Sequence, residues 1–129
     1  MNEIAVKADL RRRMAERRRA NGPEAARRGG EALQERALAR MAPAPGLVVS
    51  CYLAAPDEAP TRRIVAACLS AGAKVCVPAR RGDGDAYALC WHRADTATRR
   101  GCFGIPEAVD PEWLGDEGID VMVVPGLAF

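Results

Sequence analysis

The sequence predicts an α/β fold, a three-layer sandwich with a mainly parallel sheet and N-terminal helices packed on it. Three observations predict it. Residues 3–41 carry apolar positions at helical spacing in two segments. Leu47 to Val77 reads as strand, helix, strand with short connections, the signature of a right-handed parallel crossover. Ile119 to Val124 is a further short apolar run with the β-branched content of a buried strand.

Each element has its own reason. In residues 3–20, Val6, Leu10 and Met14 recur every four positions and form a narrow apolar stripe. Asn21-Gly22-Pro23 stops that helix, because Gly suits a helix end and Pro cannot continue one. Residues 24–41 form a second helix with Ala26, Leu33, Ala37 and Met41 on its apolar side, and Gly29-Gly30 weakens its middle. Two prolines in 42–46 end it. Leu47 to Leu53 is the first strand. Thr61 caps a helix that runs through Ser70, and Ala71-Gly72 closes it. Lys74 to Val77 is the next strand, stopped by Pro78. Residues 80–85 are a polar turn, and Ala86 to Trp91 alternates as a strand. Residues 93–118 read mostly as loop, with one helical turn near Pro111 to Leu114.

A chain of 129 residues has the length of a single domain. Apolar residues make up 49% and charged residues 28%, which excludes a disordered tail. No apolar run approaches the roughly 20 residues of a membrane helix. The polar, Arg-rich N-terminus is no secretory signal, so a cytoplasmic location is expected, with no membrane partner. The net charge is only +2, yet it is unevenly spread. Residues 1–40 hold 11 basic and 6 acidic groups, against 8 and 11 in the remainder. A basic helix beside an acidic body points to a small anionic ligand near that helix. Aromatics at 5% are too few for a nucleic-acid stacking platform, and no nucleic-acid partner is expected. The five cysteines show no Cys-x-x-Cys pairing and there is one His, so zinc spacing is absent and no metal ligands are predicted. The cysteines are expected as reduced, buried small hydrophobes. Arg81-Gly82-Asp83 and Asp85 belong to a polar turn.

In an open α/β sheet, ligands bind at the carboxyl ends of the strands. Here those ends are Tyr52 to Glu58, Pro78 to Arg81 and Pro125 to Phe129. Lys7 and Arg11 lie one helical turn apart and face the same way. Such a pair clamps a polyphosphate, with Arg as a fork and Lys as a point charge. The segment Tyr52 to Thr61, just past the first strand and holding Asp57 and Glu58, puts a carboxylate either at the rim, where it accepts hydrogen bonds from a nitrogen-rich ring, or at the N-terminus of the next helix, where it favours the dipole. Phe103 sits between glycines in Gly101-Cys102-Phe103-Gly104, where it is placed either to stack on a flat ligand or to plug the core.

Five segments in order carry a resemblance: Lys7-Ala8-Asp9-Leu10-Arg11; Tyr52-Leu53 with Glu58 and Thr61; Pro78; Phe103-Gly104-Ile105-Pro106-Glu107; and Ile119-Asp120 through Pro125-Gly126 to Phe129. Together they resemble the 5-formyltetrahydrofolate cyclo-ligase family, also called methenyltetrahydrofolate synthetase. The resemblance implies an ATP- and Mg2+-dependent ring closure of 5-formyltetrahydrofolate to 5,10-methenyltetrahydrofolate, releasing ADP and phosphate. Phosphorylation of the formamide oxygen turns a poor leaving group into a good one, and the nitrogen at position 10 then closes the ring. The protein's share is positioning and charge neutralisation. By motif position, Lys7, Ala8, Asp9, Leu10 and Arg11 are the implied ATP contacts. Leu53, Glu58 and Phe103 are the implied contacts of the reduced folate, with Glu58 on the pterin. The family pattern continues past Pro-Gly-x-x-Phe into a Gly-rich Arg-Leu-Gly-x-Gly segment. This chain is expected to be a single cyclo-ligase-like domain over 1–129 that lacks that segment, and to turn over little for that reason.

Overall fold

A computed structural model describes residues 2–126. Three helices and six short strands follow in the order α1 Glu3–Ala20, α2 Gly22–Met41, β1 Val48–Cys51, α3 Arg62–Ser70, β2 Lys74–Arg80, β3 Tyr87–His92, β4 Thr98–Arg100, β5 Pro106–Ala108 and β6 Val121–Val123. The main sheet has the order β3-β2-β1-β6. β1 runs parallel to both β2 and β6, and β3 runs antiparallel to β2. The architecture is thus α/β with N-terminal helices and a mainly parallel central sheet.

The α1–α2 junction is abrupt because Gly22 takes φ +82°, a left-handed value that glycine adopts without steric cost. α1 starts on Asn2, whose Oδ1 accepts from the Ala5 N–H at 2.8 Å. It buries no residue, and its surface pairs, such as Arg12 with Glu16 at 3.1 Å, add only slightly to its stability. α2 and α3 do the packing. Val49 and Cys51 of β1, Val75, Val77 and Ala79 of β2, and Cys90 of β3 form one buried cluster with Ile64, Val65 and Cys68 of α3. Ala37, Leu38 and Met41 of α2 close over it.

The N-terminus of α3 is held in an unexpected way. Thr61 is the cap position, but its side chain makes no capping bond; the hydroxyl donates instead to the Tyr52 carbonyl at 2.7 Å. Gln34 of α2 takes over. Its Oε1 accepts from the Arg63 N–H at 2.9 Å, and its Nε2 donates to the Gly30 carbonyl at 3.2 Å. Gln34 is buried, so Gln34→Ala leaves a helix-end N–H without its partner. The expected loss is about 1–2 kcal/mol of folding free energy, read as a lower urea midpoint. The Gly29-Gly30 step also has a reason. A Cβ on Gly30 would lie 2.6 Å from Pro60 Cγ, so this glycine lets the loop after β1 seat against α2.

Four expectations are corrected. β2 does not stop at Pro78 but continues to Arg80. Its pairing with β1 reaches only Cys76, so Pro78 lies where β2 has lost that neighbour and a missing N–H is tolerated. Residues 93–118 contain a two-stranded ladder, β4 with β5, and no helical turn at Pro111 to Leu114. Trp113 instead bridges to Cys90, and the Leu114 N–H donates to Leu89 O at 2.9 Å. The last strand is not fully buried, since Met122 and Val124 are more than half exposed. Asp120 fixes its start: its Oδ2 accepts from the Val48 N–H at 2.8 Å, while its own N–H donates to Val48 O at 2.9 Å. Finally, Cys102 is exposed beside Arg80, whose Nη1 lies 3.2 Å from its Sγ, while the other four cysteines are buried. Burial pushes the Cys51 thiol up to about 12, which keeps it protonated and inert.

Candidate functional site: a cleft between the first helix and the strand-end rim

The parallel strands β1 and β6 deliver their following segments to the same end of the sheet. There α1 faces them. A cleft of about 720 Å³ is lined on the helix side by Lys7, Leu10, Arg11, Met14 and Arg18. Opposite lie Ala55, Asp57, Glu58 and Ala59 after β1, Phe103 and Ile105 between β4 and β5, and Pro125 and Gly126 after β6. Four elements distant in sequence therefore converge on one opening.

The helix side supplies positive charge. Lys7 Nζ sits 2.6 Å from Glu3 Oε1, but both side chains are well exposed, so this pair is easily exchanged for a ligand. Arg11 and Arg18 make no ion pair among the described residues. The spacing Lys7, Arg11, Arg18 follows one face of the helix.

The opposite wall is braced. The Ala55 N–H donates to Glu58 Oε1 at 2.8 Å, and the Glu58 N–H donates to Ala55 O at 3.0 Å. The Tyr52 hydroxyl donates to the Ala59 carbonyl at 2.7 Å and closes the loop from the other side. Burial and the nearby Glu58 charge raise the Tyr52 phenol, so it stays a donor. Glu58 thereby has one oxygen engaged and its loop fixed, which presents a carboxylate of set orientation.

Phe103 has φ +58°, an uncommon backbone conformation for a bulky residue, and the residue is 86% exposed. It is therefore a rim aromatic and no core plug. Gly101 leaves room for the Glu107 side chain, which a Cβ there would meet at 2.5 Å.

The structure thus brings Lys7, Leu10, Arg11, Glu58 and Phe103 together. It does not bring the whole predicted set. Ala8 and Asp9 do not line the cleft, and Asp9 pairs with Arg12 and Arg13 on another face of α1. Leu53 lines a neighbouring cavity of about 1010 Å³, which meets the cleft at Ala55 and Glu58. Met14, read only as part of the apolar stripe, and Arg18 were not expected at the site, although their helical register with Arg11 was a usable signal. Of the predicted rim, Pro125 and Gly126 are in place, and Leu127 to Phe129 lie outside the described residues.

The fold and the cleft define an α/β protein with a cationic helix opposite a braced carboxylate. The family model for the 5-formyltetrahydrofolate cyclo-ligase family matches residues 3–129, and the chain belongs to that family. A solved structure, the NMR structure of Aquifex aeolicus 5,10-methenyltetrahydrofolate synthetase, matches with a TM-score of 0.73 at 22% identity. The match covers 95% of this chain and 62% of that one, and it shows the shared fold. Comparison with curated proteins gives no significant match. No helix among the described residues is long and apolar enough to cross a membrane.

Proposed function

We propose that this chain binds ATP and 5-formyltetrahydrofolate in the α1 cleft and serves their ATP-dependent conversion to 5,10-methenyltetrahydrofolate, ADP and phosphate in the cytoplasm. The observation that carries the reading is the convergence of Lys7 and Arg11 with Glu58 and Phe103 on one cleft. Lys7 and Arg11 neutralise the phosphates. Glu58 accepts hydrogen bonds from the pterin through the oxygen that the loop leaves free. Phe103 stacks on a flat ring at the mouth. Ala8, Asp9 and Leu53 belong to the binding elements without lining this cleft.

Among the described residues no group of three or more His, Cys, Asp or Glu side chains is placed to hold a metal ion. This fits Mg2+ as a partner of the nucleotide, since that ion keeps waters and takes phosphate oxygens with only one or two carboxylates. Asp57, at the cleft, is the carboxylate available to it. When bound, the ion neutralises phosphate charge during transfer. The convergence of these side chains on one cleft predicts that both ligands bind this chain.

Titration calorimetry checks this. The chain is expected to bind MgATP and 5-formyltetrahydrofolate each with 1:1 stoichiometry, with any product seen by the near-ultraviolet absorbance of the methenyl compound. Absence of heat with both ligands would refute the reading.

A further inference from the structure

Every basic residue of α1 is exposed except Arg18, which is half-buried. A cation drawn partly out of water normally has its charge answered nearby. Even the exposed cations of this helix are often paired: Arg12 with Glu16, and Lys7 with Glu3. Arg18 makes neither an ion pair nor a side-chain hydrogen bond among the described residues. It lines the cleft, and it also lines the groove between the α1–α2 corner and the loop after β1. It therefore stands where the two openings meet. Asp57 and Glu58 border both openings too, without reaching it as ion-pair partners. One Glu58 oxygen is already engaged by the Ala55 N–H. Burial and Glu58 raise the Tyr52 phenol, and the charge of Arg18 offsets part of that rise. The guanidinium thus acts on the wall that Tyr52 and Ala59 close.

Its place on the helix separates Arg18 from the clamp. Lys7 and Arg11 are about 6 Å apart along the axis, whereas Arg18 lies about 10 Å beyond Arg11. Met14 lines the turn between them. Phosphates gripped by Lys7 and Arg11 leave Arg18 free for a negative charge that arises nearer to Glu58. We propose that Arg18 is a further catalytic residue of this cleft, whose guanidinium holds the phosphoryl group as it passes from ATP to the formyl oxygen of the folate. The inference rests on the ATP–folate reading above. In that step the formamide nitrogen shares its lone pair with the carbon, and the formyl oxygen bonds to the γ-phosphorus. The bond from that phosphorus to the bridging oxygen breaks, and its electron pair leaves with ADP. No proton moves. The group in transit spreads its charge over three oxygens, and a guanidinium fork matches two of them. Arg18 has no protein partner to give up first. Its charge is in place before the reaction, which is what stabilises a transition state over a ground state.

The test uses the full 129-residue chain and calorimetric titration of three ligands. They are MgATP, 5-formyltetrahydrofolate, and MgADP with tetrafluoroaluminate in the presence of the folate. Tetrafluoroaluminate takes the place of the phosphoryl group in transit. Arg18→Ala is expected to weaken the fluoroaluminate complex by about tenfold or more. MgATP alone and the folate alone should stay within about threefold of the unmodified chain, less than the loss of one charge-assisted bond. Arg18→Lys keeps the charge and loses the fork, so it is expected to recover only part of the loss. Arg17→Ala removes the same charge from an exposed position that lines neither opening, and should change all three by less than about twofold. Helix content by circular dichroism should be the same in all four chains, because α1 buries none of its residues. An equal loss on MgATP alone would make Arg18 an ordinary phosphate contact and overturn this role. So would an unchanged fluoroaluminate complex, or an unmodified chain that binds both ligands without forming it. An unmodified chain that fails to bind MgATP or the folate would overturn the cleft reading itself, and this role with it.

Discussion

Replacing Lys7 and Arg11 together by alanine is expected to weaken MgATP binding by about a hundredfold while leaving the fold intact. The first half follows from charge. On the proposed reading each cation makes charge-assisted hydrogen bonds to phosphate, and such bonds are about twice as strong as neutral ones. Losing two of them corresponds to about two decades in affinity after allowance for their exposure. Arg11 should account for more than Lys7, because Lys7 already shares its charge with Glu3 and Arg11 shares with no carboxylate among the described residues. The second half follows from packing. α1 buries none of its residues, and alanine is the best helix former. A control lies on the same helix. Arg12→Ala/Arg13→Ala removes as much charge from positions that do not line the cleft, and should leave ATP affinity within about twofold, as expected for surface charges at a distance. Calorimetric titration of ATP into the three chains checks it.

The second large effect is at Glu58, where two substitutions separate charge from structure. Glu58→Gln keeps an oxygen that accepts from the Ala55 N–H. The loop therefore stays closed and only the negative charge is lost. Binding of 5-formyltetrahydrofolate is expected to fall by about tenfold to a hundredfold, the range for a charged hydrogen-bond partner, with ATP affinity unchanged. Glu58→Ala removes the loop brace as well. Its wall also borders Lys7 and Arg11, so this variant is expected to lose folate binding more severely and to lower ATP affinity too. Unchanged folate affinity in Glu58→Gln beside a loss in Glu58→Ala would show that Glu58 acts only as a brace.

The helices and parallel strands were legible because their signals are local. Val6, Leu10 and Met14 repeat at helical spacing, and the Val-rich runs alternate with turn residues. What escaped depends on partners far along the chain. Nothing near Thr61 says that Gln34, 29 residues before the Arg63 N–H that it accepts from, caps α3. Nothing near Gly30 reveals Pro60 as the reason for it. The β4–β5 ladder is only three residues per strand, too short for a periodic signal. Pro78 misled in the other direction, because a strand tolerates proline where its neighbour has ended.

The site was legible in pieces. The Lys7–Arg11 clamp and the rim carboxylate follow from helix spacing and strand-end logic. Their convergence needs the crossing of α1 over the ends of β1 and β6, which no single segment encodes. Leu53 and Glu58 lie five residues apart, yet Glu58 borders both openings while Leu53 faces only the larger one.

The most direct measurement is an amide NMR titration of the labelled chain with MgATP and 5-formyltetrahydrofolate, singly and together. MgATP is expected to shift signals around Lys7 to Arg11, the folate those around Leu53 to Glu58, and both those at Ala55, Glu58 and Phe103. Shifts confined to other surfaces, or none with either ligand at saturating concentration, would contradict a shared ATP–folate cleft.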